Sequence, residues 1–346
     1  MIGKPSQKVV YPIALLLSTA TKKSFESLAE CINVAGDTVS GDTVSRIVTT
    51  NAATIYELIQ LCKMIFKDKQ LYLLIDDTLI AKIYSQVIEG ACDNFDSSDN
   101  RTKRSLCSVV AMLTDGEIAI PIDQILWTSI EFDPANHAKK WEMAQQLIRK
   151  IRPLIGVKLV ILDGLYAVAA FIRWLIKKGI FFEMRFHSNR VVLYKGVKAS
   201  LRHHKKLKVT GRNPVRTIIA VWHDIQLYVT AVRRLMKNGD FSIVYQIANY
   251  KAPAWQHMRN YGYRWNIEKF FRTAKQKLGL NDCMARKQQK QEAHIMNVFF
   301  AYAFAQLERI RLKLDNVEMA IKSLKQSCFD SLVPRFLRFV QIFSHA

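Results

Sequence analysis

Four polar residues in the C-terminal third of the chain are spaced so that one helix would bring them together. Tyr261, Arg264, Glu268 and Lys275 are separated by three, four and seven positions. At about 100° per residue, all four side chains fall within an arc of roughly 60° on one predicted helix face. The adjacent arc carries apolar residues such as Ile267, which we expect to be buried. The polar stripe therefore borders the core, where the wall of a cleft would lie.

On their own, Arg264 and Glu268 would be an ordinary i,i+4 ion pair on a helix surface, worth a few tenths of a kcal/mol. Two other acidic positions favour chemistry instead. Asp76 and Asp77 follow one short apolar run, and Asp163 follows another. Such runs are typical of strands that are buried on both faces of a sheet. The sequence thus predicts acids at the ends of two strands and on one helix.

Acids placed in this way predict a metal-dependent phosphodiester transfer. Carboxylates that converge from two strands and a helix can bind two Mg²⁺ or Mn²⁺ ions about 3.5–4 Å apart. One ion would activate an attacking water or 3′-hydroxyl, and the other would stabilise the leaving oxygen. Arg264 and Lys275, on the same predicted face as Glu268, would then lie near the phosphates. Tyr261 would pack against or hydrogen-bond the nucleic-acid backbone.

The charge of the chain favours a polyanionic partner. There are 51 Lys and Arg residues against 29 Asp and Glu residues, with a formal net charge of +22 and a pI near 9.8. Because the basic residues are spread along the chain, we expect a long footprint on a phosphate backbone, and nucleic acid is favoured over an anionic membrane. A solvated basic surface without function is the alternative interpretation.

Neither cysteines nor membrane segments indicate another class of protein. The six cysteines have no C-x-x-C pair or close His partner, so we expect buried, reduced thiols rather than a zinc site or disulfides. The most apolar segment, 159–176, contains Asp163 and Arg173 and predicts a buried strand and helix rather than a membrane span. With no signal-peptide pattern, we expect a cytoplasmic protein.

Residues 1–66 are predicted to be helical, with two short helices at 24–30 and 42–48. Their pairing favours a helix-turn-helix whose second helix, including Arg46, enters the major groove, although an ordinary helical hairpin fits equally well. The connection contains a tandem repeat, in which Gly-Asp-Thr-Val-Ser occurs twice between Gly36 and Ser45. The extra copy lengthens the turn by five residues.

Residues 67–186 have the pattern of an α/β core. A buried strand at 71–75 is followed by a predicted hairpin at 106–113 and 117–127, a helix at about 136–154 and a second buried strand at 157–162. A helix from about Tyr166 to Lys178 and a fifth strand at 181–186 complete the set. Three strands, a crossover helix and a fourth strand are the order expected of a ribonuclease-H-like fold.

The remaining chain divides into three predicted parts. Residues 187–250 contain short β-rich runs separated by basic clusters and predict a β-rich insertion. Residues 251–312 would complete the core with the helix that carries Glu268, and 313–346 would form a helical C-terminal tail.

The chain resembles a known family. The Tyr-x2-Arg-x3-Glu-x6-Lys spacing of residues 261–275 is similar to the signature of the DDE transposases of bacterial insertion sequences, in the branch typified by insertion sequence 4. Segments 75–78 and 162–166 resemble the two aspartate motifs of that family, and 185–190 resembles the basic segment that follows them. The resemblance covers roughly residues 71 to 309.

The resemblance implies that Asp77, Asp163 and Glu268 are the catalytic, metal-binding residues of a Mg²⁺-dependent transposase. In that family the aspartate directly before Thr binds the metal, which favours Asp77 over Asp76. Strand alternation points the two side chains to opposite faces, so that only one of them can serve. That choice depends on the resemblance.

The resemblance also implies partners for the chain. These are double-stranded DNA at terminal inverted repeats, a target DNA that receives the cut strand, and a second copy of the chain in a synaptic homodimer. Trp222 is a candidate for stacking on a flipped base, with core packing as the alternative. The side chains expected to contact DNA are Tyr261, Arg264, Lys275, Arg185, Asn189, Arg190 and Arg46.

Two other functions fit the same residues. One is a decayed transposase copy that binds DNA without cutting it, which would follow if the repeat between Gly36 and Ser45 is a damaging insertion and not a harmless lengthening of the loop. The other is a ribonuclease-H-like nuclease that acts on structured DNA. Inverted repeats flanking the coding region would favour transposition over the nuclease.

Overall fold

Eleven strands in the described part of the chain form one large sheet, in which most neighbouring strands are antiparallel. The computed structural model describes residues 7–33, 39–50, 54–96, 99–135, 137–236 and 238–341. The strands are β1 (Tyr72–Ala81), β2 (Cys92–Asp96), β3 (Arg101–Thr114), β4 (Ala119–Trp127), β5 (Leu159–Leu162), β6 (Phe182–Phe186), β7 (Val191–Tyr194), β8 (Val197–Ser200), β9 (Val215–Trp222), β10 (Ile225–Leu235) and β11 (Phe241–Ala248).

Helices cover the sheet and make the protein a mixed α/β structure. None of the described helices is long and apolar enough to span a membrane. The α-helices are α1 (Gln7–Leu17), α2 (Phe25–Asn33), α3 (Gly41–Thr50), α4 (Ile55–Ile65), α5 (Lys140–Ile151), α6 (Ala169–Lys177), α7 (Ala254–Gly262), α8 (Trp265–Lys277), α9 (Gln288–Arg311), α10 (Val317–Leu324) and α11 (Phe329–Gln341).

Strand β1 lies inside the sheet because its first half is apolar on both faces. Leu73, Leu74 and Ile75 are fully buried. β1 pairs in antiparallel fashion with β3 and in parallel with β5, and the parallel register places Ile75 beside Leu162. Asp76 therefore lies beside Asp163, although Asp76 is in the middle of β1 and not at its end as the sequence predicts, whereas Asp163 directly follows β5.

The first part of the sheet has the strand order β4-β3-β1-β5-β6, with β2 also paired to β3. The hairpin predicted from the sequence is confirmed by β3 and β4. This order is consistent with a ribonuclease-H-like core. The strands predicted as an insertion continue the same sheet, because β11 pairs with β6 and leads on through β10, β9, β7 and β8. The domain boundaries themselves remain predictions.

Some element limits differ from the sequence prediction. The helix expected from about 136 to 154 is α5, Lys140–Ile151, and position 136 lies outside the described residues. The helix expected from Tyr166 is a short 3-10 turn at Gly164–Tyr166 followed by α6. The sequence prediction missed β2 and β8, which are only five and four residues long and include polar residues. The cysteines are free thiols, as expected, but only three are buried: Cys31 and Cys92 are partly buried and Cys328 is exposed.

The sequence predicts that the four residues of the polar stripe share one helix. In the structure they are divided between two helices. Helix α7 ends at Gly262 and α8 begins at Trp265, so Tyr261 precedes the break while Glu268 and Lys275 follow it. Glycine weakens a helix, and the ring of Tyr263 packs directly against Gly116 in the β3–β4 turn. The break places Arg264 at the N-terminal end of α8.

The two predicted N-terminal helices are present as α2 and α3. The second copy of the duplicated pentapeptide forms the first turn of α3, and the hydroxyl of Ser40 accepts a hydrogen bond from the Thr43 amide at 3.3 Å. Positions 34–38 of the connection lie outside the described residues. Arg46 is exposed on α3, and its guanidinium donates to Thr43.

Helix α9 joins the N-terminal helices to the core. The hydroxyl of Tyr11, in α1, and Nδ1 of His294, in α9, lie 2.8 Å apart. Nε2 of the same imidazole lies 3.0 Å from the carbonyl oxygen of Gly279. The neutral tautomer that donates from Nε2 and accepts at Nδ1 satisfies both contacts. One buried histidine thus ties α1 to the segment that follows α8.

Candidate active site

Arg264 lies among three carboxylates that come from different parts of the fold. Its Nη1 is 2.5 Å from Oδ2 of Asp76, in β1. Its Nη2 is 3.8 Å from Oδ1 of Asp163, directly after β5, and also pairs with Oε1 of Glu268, in α8. The side chain of Arg264 is 16% exposed. A single guanidinium therefore gathers one acid from each element that the sequence analysis singled out.

The ionisation of this group reflects its burial. Burial acts against the charge of Arg264, but the surrounding acids, Asp76 first, outweigh it and raise the pKa of the guanidinium. Burial also raises the pKa of Asp76 to about 7, where Arg264 opposes the rise and Asp77 and Asp163 add to it. For Glu268, burial raises the pKa while Arg264 opposes it. These acids repel one another and depend on a shared cation.

Asp77 has different partners from Asp76. Its Oδ2 is 2.7 Å from Nζ of Lys140, the first residue of α5, and 3.8 Å from the thiol of Cys107 in β3. Burial acts against the charge of Lys140, but Cys107 and Asp77 outweigh it and raise the pKa of the ammonium. The adjacent acids of β1 thus face two separate cations, as strand alternation requires.

Two tyrosines approach the acids. The hydroxyl of Tyr261, in α7, lies 3.5 Å from Oδ1 of Asp163. Tyr166, in the turn after β5, is fully buried and its hydroxyl has no hydrogen-bond partner in the described structure. Burial raises the pKa of the Tyr166 phenol, and the charges of Asp77 and Asp76 add to the rise. Tyr166 is therefore a neutral donor close to both acids of β1.

Lys275 lies apart from the group around Arg264. It is half-buried, and burial lowers the pKa of its ammonium, with smaller effects from Asp96, which raises the pKa, and Lys103, which lowers it. Arg185 is exposed at the end of β6 and acts electrostatically on Glu268. Arg234, exposed in β10, acts on the same carboxylate. Glu268 therefore faces basic residues from β6 and from the predicted insertion.

The basic segment after β6 lines a cleft of about 1200 Å³ that also includes Trp222 and His223. Asn189 is exposed, and the guanidinium of Arg190 lies 5.4 Å from the ring centroid of Trp222. Trp222 is only 5% exposed and packs edge-to-face on Phe186, which is the arrangement of a core residue.

The segment also touches the turn that carries Asp163. A Cβ atom at Gly164 would lie 3.1 Å from Nε2 of His187. Only a glycine lets the imidazole approach this closely without displacement. The basic segment and Asp163 thus belong to one surface.

The arrangement of α7 and α8 depends on two supports. The side-chain amide of Asn266 donates to the carbonyl of Gly116 at 3.3 Å, which holds the start of α8 on the β3–β4 turn. Beneath α7, the buried carboxylate of Glu183 accepts hydrogen bonds from Tyr250 and Asn260, and Nδ1 of His257 lies 2.8 Å from it. Burial raises the pKa of Glu183. Both supports act on residues within two positions of Tyr261 or Arg264.

The donor set around Arg264 fits a divalent cation chemically, because Asp76, Asp163 and Glu268 all direct carboxylate oxygens at one positive charge and Mg²⁺ prefers oxygen ligands. Among the described residues, however, no group of three or more His, Cys, Asp or Glu side chains is arranged to hold a metal ion. The guanidinium of Arg264 lies between the acids.

Sequence reasoning missed three residues of this site. Lys140 shares α5 with Arg149 and Lys150, and Arg234 directly follows Arg233 in β10, so nothing in the local sequence distinguished them. Tyr166 stands three residues after Asp163, and that proximity was the available signal. Their contribution depends on contacts between residues far apart in the chain.

Comparison with protein-family models matches residues 94–304 to a family described as a transposase DDE domain. The matched range contains Asp163 and Glu268 and begins after Asp77. Among solved structures, the fold is similar to one described as a cryo-EM structure of the piggyBac transposase synaptic complex with hairpin DNA. The TM-score is 0.50 at 10% sequence identity, over 99% of this chain and 77% of that chain. Comparison with curated proteins gave no match.

Proposed function

The chain belongs to the transposase DDE domain family, and on that premise we propose that it cleaves DNA at the terminal inverted repeats of its own element and transfers the cut strand to a target. The observation that carries the proposal is the convergence of Asp76, Asp163 and Glu268 on the guanidinium of Arg264. Acids from two neighbouring strands and a helix, held around one positive charge, suit an active site for phosphodiester chemistry.

Asp163 and Glu268 are the two acids that we assign to metal binding, together with one acid of β1. Two Mg²⁺ or Mn²⁺ ions would supply an activated nucleophile and stabilise the leaving oxygen. The geometry favours Asp76 as the third ligand, since it shares Arg264 with the other two acids. The family resemblance favours Asp77, which directly precedes Thr78. A ribonuclease-H-like core is the fold in which we place this site.

The residues of the chain itself would bind and orient the DNA. The net charge of +22 suits a phosphate backbone. Arg185 and Arg234 would neutralise phosphates near Glu268, because both already act on that carboxylate. Tyr261 would orient Asp163 through its hydroxyl contact at 3.5 Å. The partner is double-stranded DNA, bound by two copies of the chain.

The remaining predicted DNA contacts extend this surface. Asn189 and Arg190 line the cleft after β6, Lys275 lies along α8, and Arg46 is exposed on α3. We propose that Arg46 contacts the inverted repeat and that the other residues contact phosphates near the cut. The full set would give a steep dependence of DNA affinity on salt concentration.

Cleavage of a labelled duplex tests the proposal. The duplex carries the inverted repeat found beside the coding region, and a duplex of scrambled sequence serves as its control. We expect the wild-type chain to cut the first duplex in Mg²⁺, whereas Asp163→Asn and Glu268→Gln bind it without cutting. Glu117→Gln, which changes an acid that is 74% exposed, is the matched control. Full cleavage by either site variant refutes the assignment, and equal cutting of both duplexes points to a nuclease.

A further inference from the structure

Arg264 does more than lie beside the acids, because its guanidinium occupies carboxylate oxygens that a metal ion would need. Its two terminal nitrogens donate hydrogen bonds to Asp76 and Glu268, Nη2 lies 3.8 Å from Oδ1 of Asp163, and the side chain is mostly buried among the three acids. The acids come from β1, from the end of β5 and from α8, and among the described residues Arg264 is the one side chain that forms ion pairs with all three. In this arrangement the guanidinium is an internal counter-ion.

A guanidinium and a divalent cation compete for the same carboxylate lone pairs. Each carboxylate oxygen that accepts from Arg264 is unavailable in that direction to a metal ion. The two cations also repel each other directly. Even screened as in bulk water, a unit charge about 6 Å from a divalent ion opposes its binding by about tenfold in affinity.

We infer that in the DNA-free protein Arg264 blocks divalent cations from Asp163 and Glu268, and that a metal ion binds there only after the guanidinium has left those carboxylates. This inference rests on the proposed function, because it concerns the same acids. It makes Arg264 a positioning residue whose movement opens the site. A phosphate group beside α8 offers the guanidinium another bidentate partner. Binding of the phosphate and of the metal would then strengthen each other.

The opposite role for Arg264 is to hold the acids in place for the metal. If the guanidinium only held the acids in place, its loss would disperse them and weaken metal binding. If it blocks the acids, its loss leaves three carboxylates with an unmet need for positive charge, and metal binding tightens. The two roles predict changes of opposite sign.

Binding of Mn²⁺ to the full-length, DNA-free chain distinguishes them, measured by the electron paramagnetic resonance of free Mn²⁺ at fixed ionic strength. We expect Arg264→Gln to tighten Mn²⁺ binding by at least about tenfold. The matched control is Arg259→Gln, which removes the same charge from an exposed position in α7, and we expect no more than a twofold change. In the double variant R264Q/E268Q the gain should disappear, which locates the bound ion.

Equal or weaker Mn²⁺ binding by folded Arg264→Gln overturns the inference. Circular dichroism reports whether the variant has folded. If it has not, Arg264→Lys replaces it, since an ammonium keeps the charge but cannot bridge three acids; partial tightening is expected, and unchanged or weaker binding overturns the inference. Failure of the proposed function is a separate result, because it appears as absence of cleavage by the wild-type chain in Mg²⁺ and DNA.

Discussion

Asp76 and Asp77 are adjacent in strand β1, yet their carboxylates bind different cations: Asp76 lies 2.5 Å from Arg264, and Asp77 lies 2.7 Å from Lys140. Successive side chains of a strand point to opposite faces, so this separation follows directly from the backbone. It divides two chemically identical residues into one that shares Arg264 with Asp163 and Glu268 and one that faces α5.

We therefore expect only one of Asp76→Asn and Asp77→Asn to abolish cleavage. Loss of an outer-shell partner typically lowers activity about 10–100-fold, and loss of a metal ligand should lower the cleavage rate by more than that. The other variant should stay within that range. Steady-state cleavage in Mg²⁺, measured for both variants beside the wild-type chain, identifies the ligand. Abolished cleavage by both variants, with both folded, would contradict the division of the pair.

The turn between β3 and β4 should tolerate no side chain at Gly116. Its φ is +105°, and a Cβ atom would lie 2.8 Å from the ring of Tyr263. We expect Gly116→Ala to lower the free energy of unfolding by about 1–3 kcal/mol for backbone strain, with a further loss from the displaced ring. Urea denaturation measures both losses together.

Gly239→Ala isolates the backbone strain. Gly239 has a φ of +85°, and a Cβ atom there would meet nothing within 4 Å. Gly239→Ala should therefore lower the free energy of unfolding less than Gly116→Ala does. Equal losses would show that contact with Tyr263 does not hold the start of α8.

Glu183 should be needed for the position of α7. Its buried carboxylate serves Tyr250, His257 and Asn260, so Glu183→Ala leaves several buried polar groups without a partner. We expect a loss of about 2–5 kcal/mol in the free energy of unfolding by urea denaturation. Glu183→Gln keeps an acceptor of the same shape and should retain more stability. The exposed residue Glu117 supplies the control, and a loss no larger in Glu183→Ala than in Glu117→Ala would rule out the support.

Protonation of His294 should destabilise the fold at acidic pH. Burial lowers the pKa of His294 to about 3, against 6.5 in the unfolded chain. As the pH falls from about 6.5 towards about 3, the unfolded chain gains a proton that the native state does not accept. The stability contributed by this site is complete above about pH 6.5 and is lost below it, at up to about 1.4 kcal/mol per pH unit.

Unfolding free energies of the wild-type chain and His294→Gln between pH 4 and 8 test this. In the variant, the free energy of unfolding should fall less steeply as the pH is lowered. The difference in slope should correspond to about one bound proton. Replacing the exposed His203 by Gln should leave the slope of the wild type. An unchanged slope in His294→Gln would show that other groups cause the acid sensitivity.

Local sequence patterns predicted many elements of the fold. The apolar runs before Asp77 and Asp163 identified β1 and β5, because strands buried on both faces require continuous apolar residues. Two strand-like runs separated by the turn residues around Gly116 identified the β3–β4 hairpin. The helix break at Gly262 escaped prediction, since it depends on a ring packed against a turn that lies far away in the chain.

The sequence by itself determined which chemical groups are available: acids after two buried apolar runs, and Arg264 one helical turn before Glu268. Spacing along the chain decides these features because strands and helices have regular periods. Only the tertiary structure decided that Asp76 rather than Asp77 meets Arg264, that Lys140 meets Asp77, and that Arg234 approaches Glu268. Those contacts join residues tens to hundreds of positions apart, so they depend on strand register and packing, which no local pattern encodes.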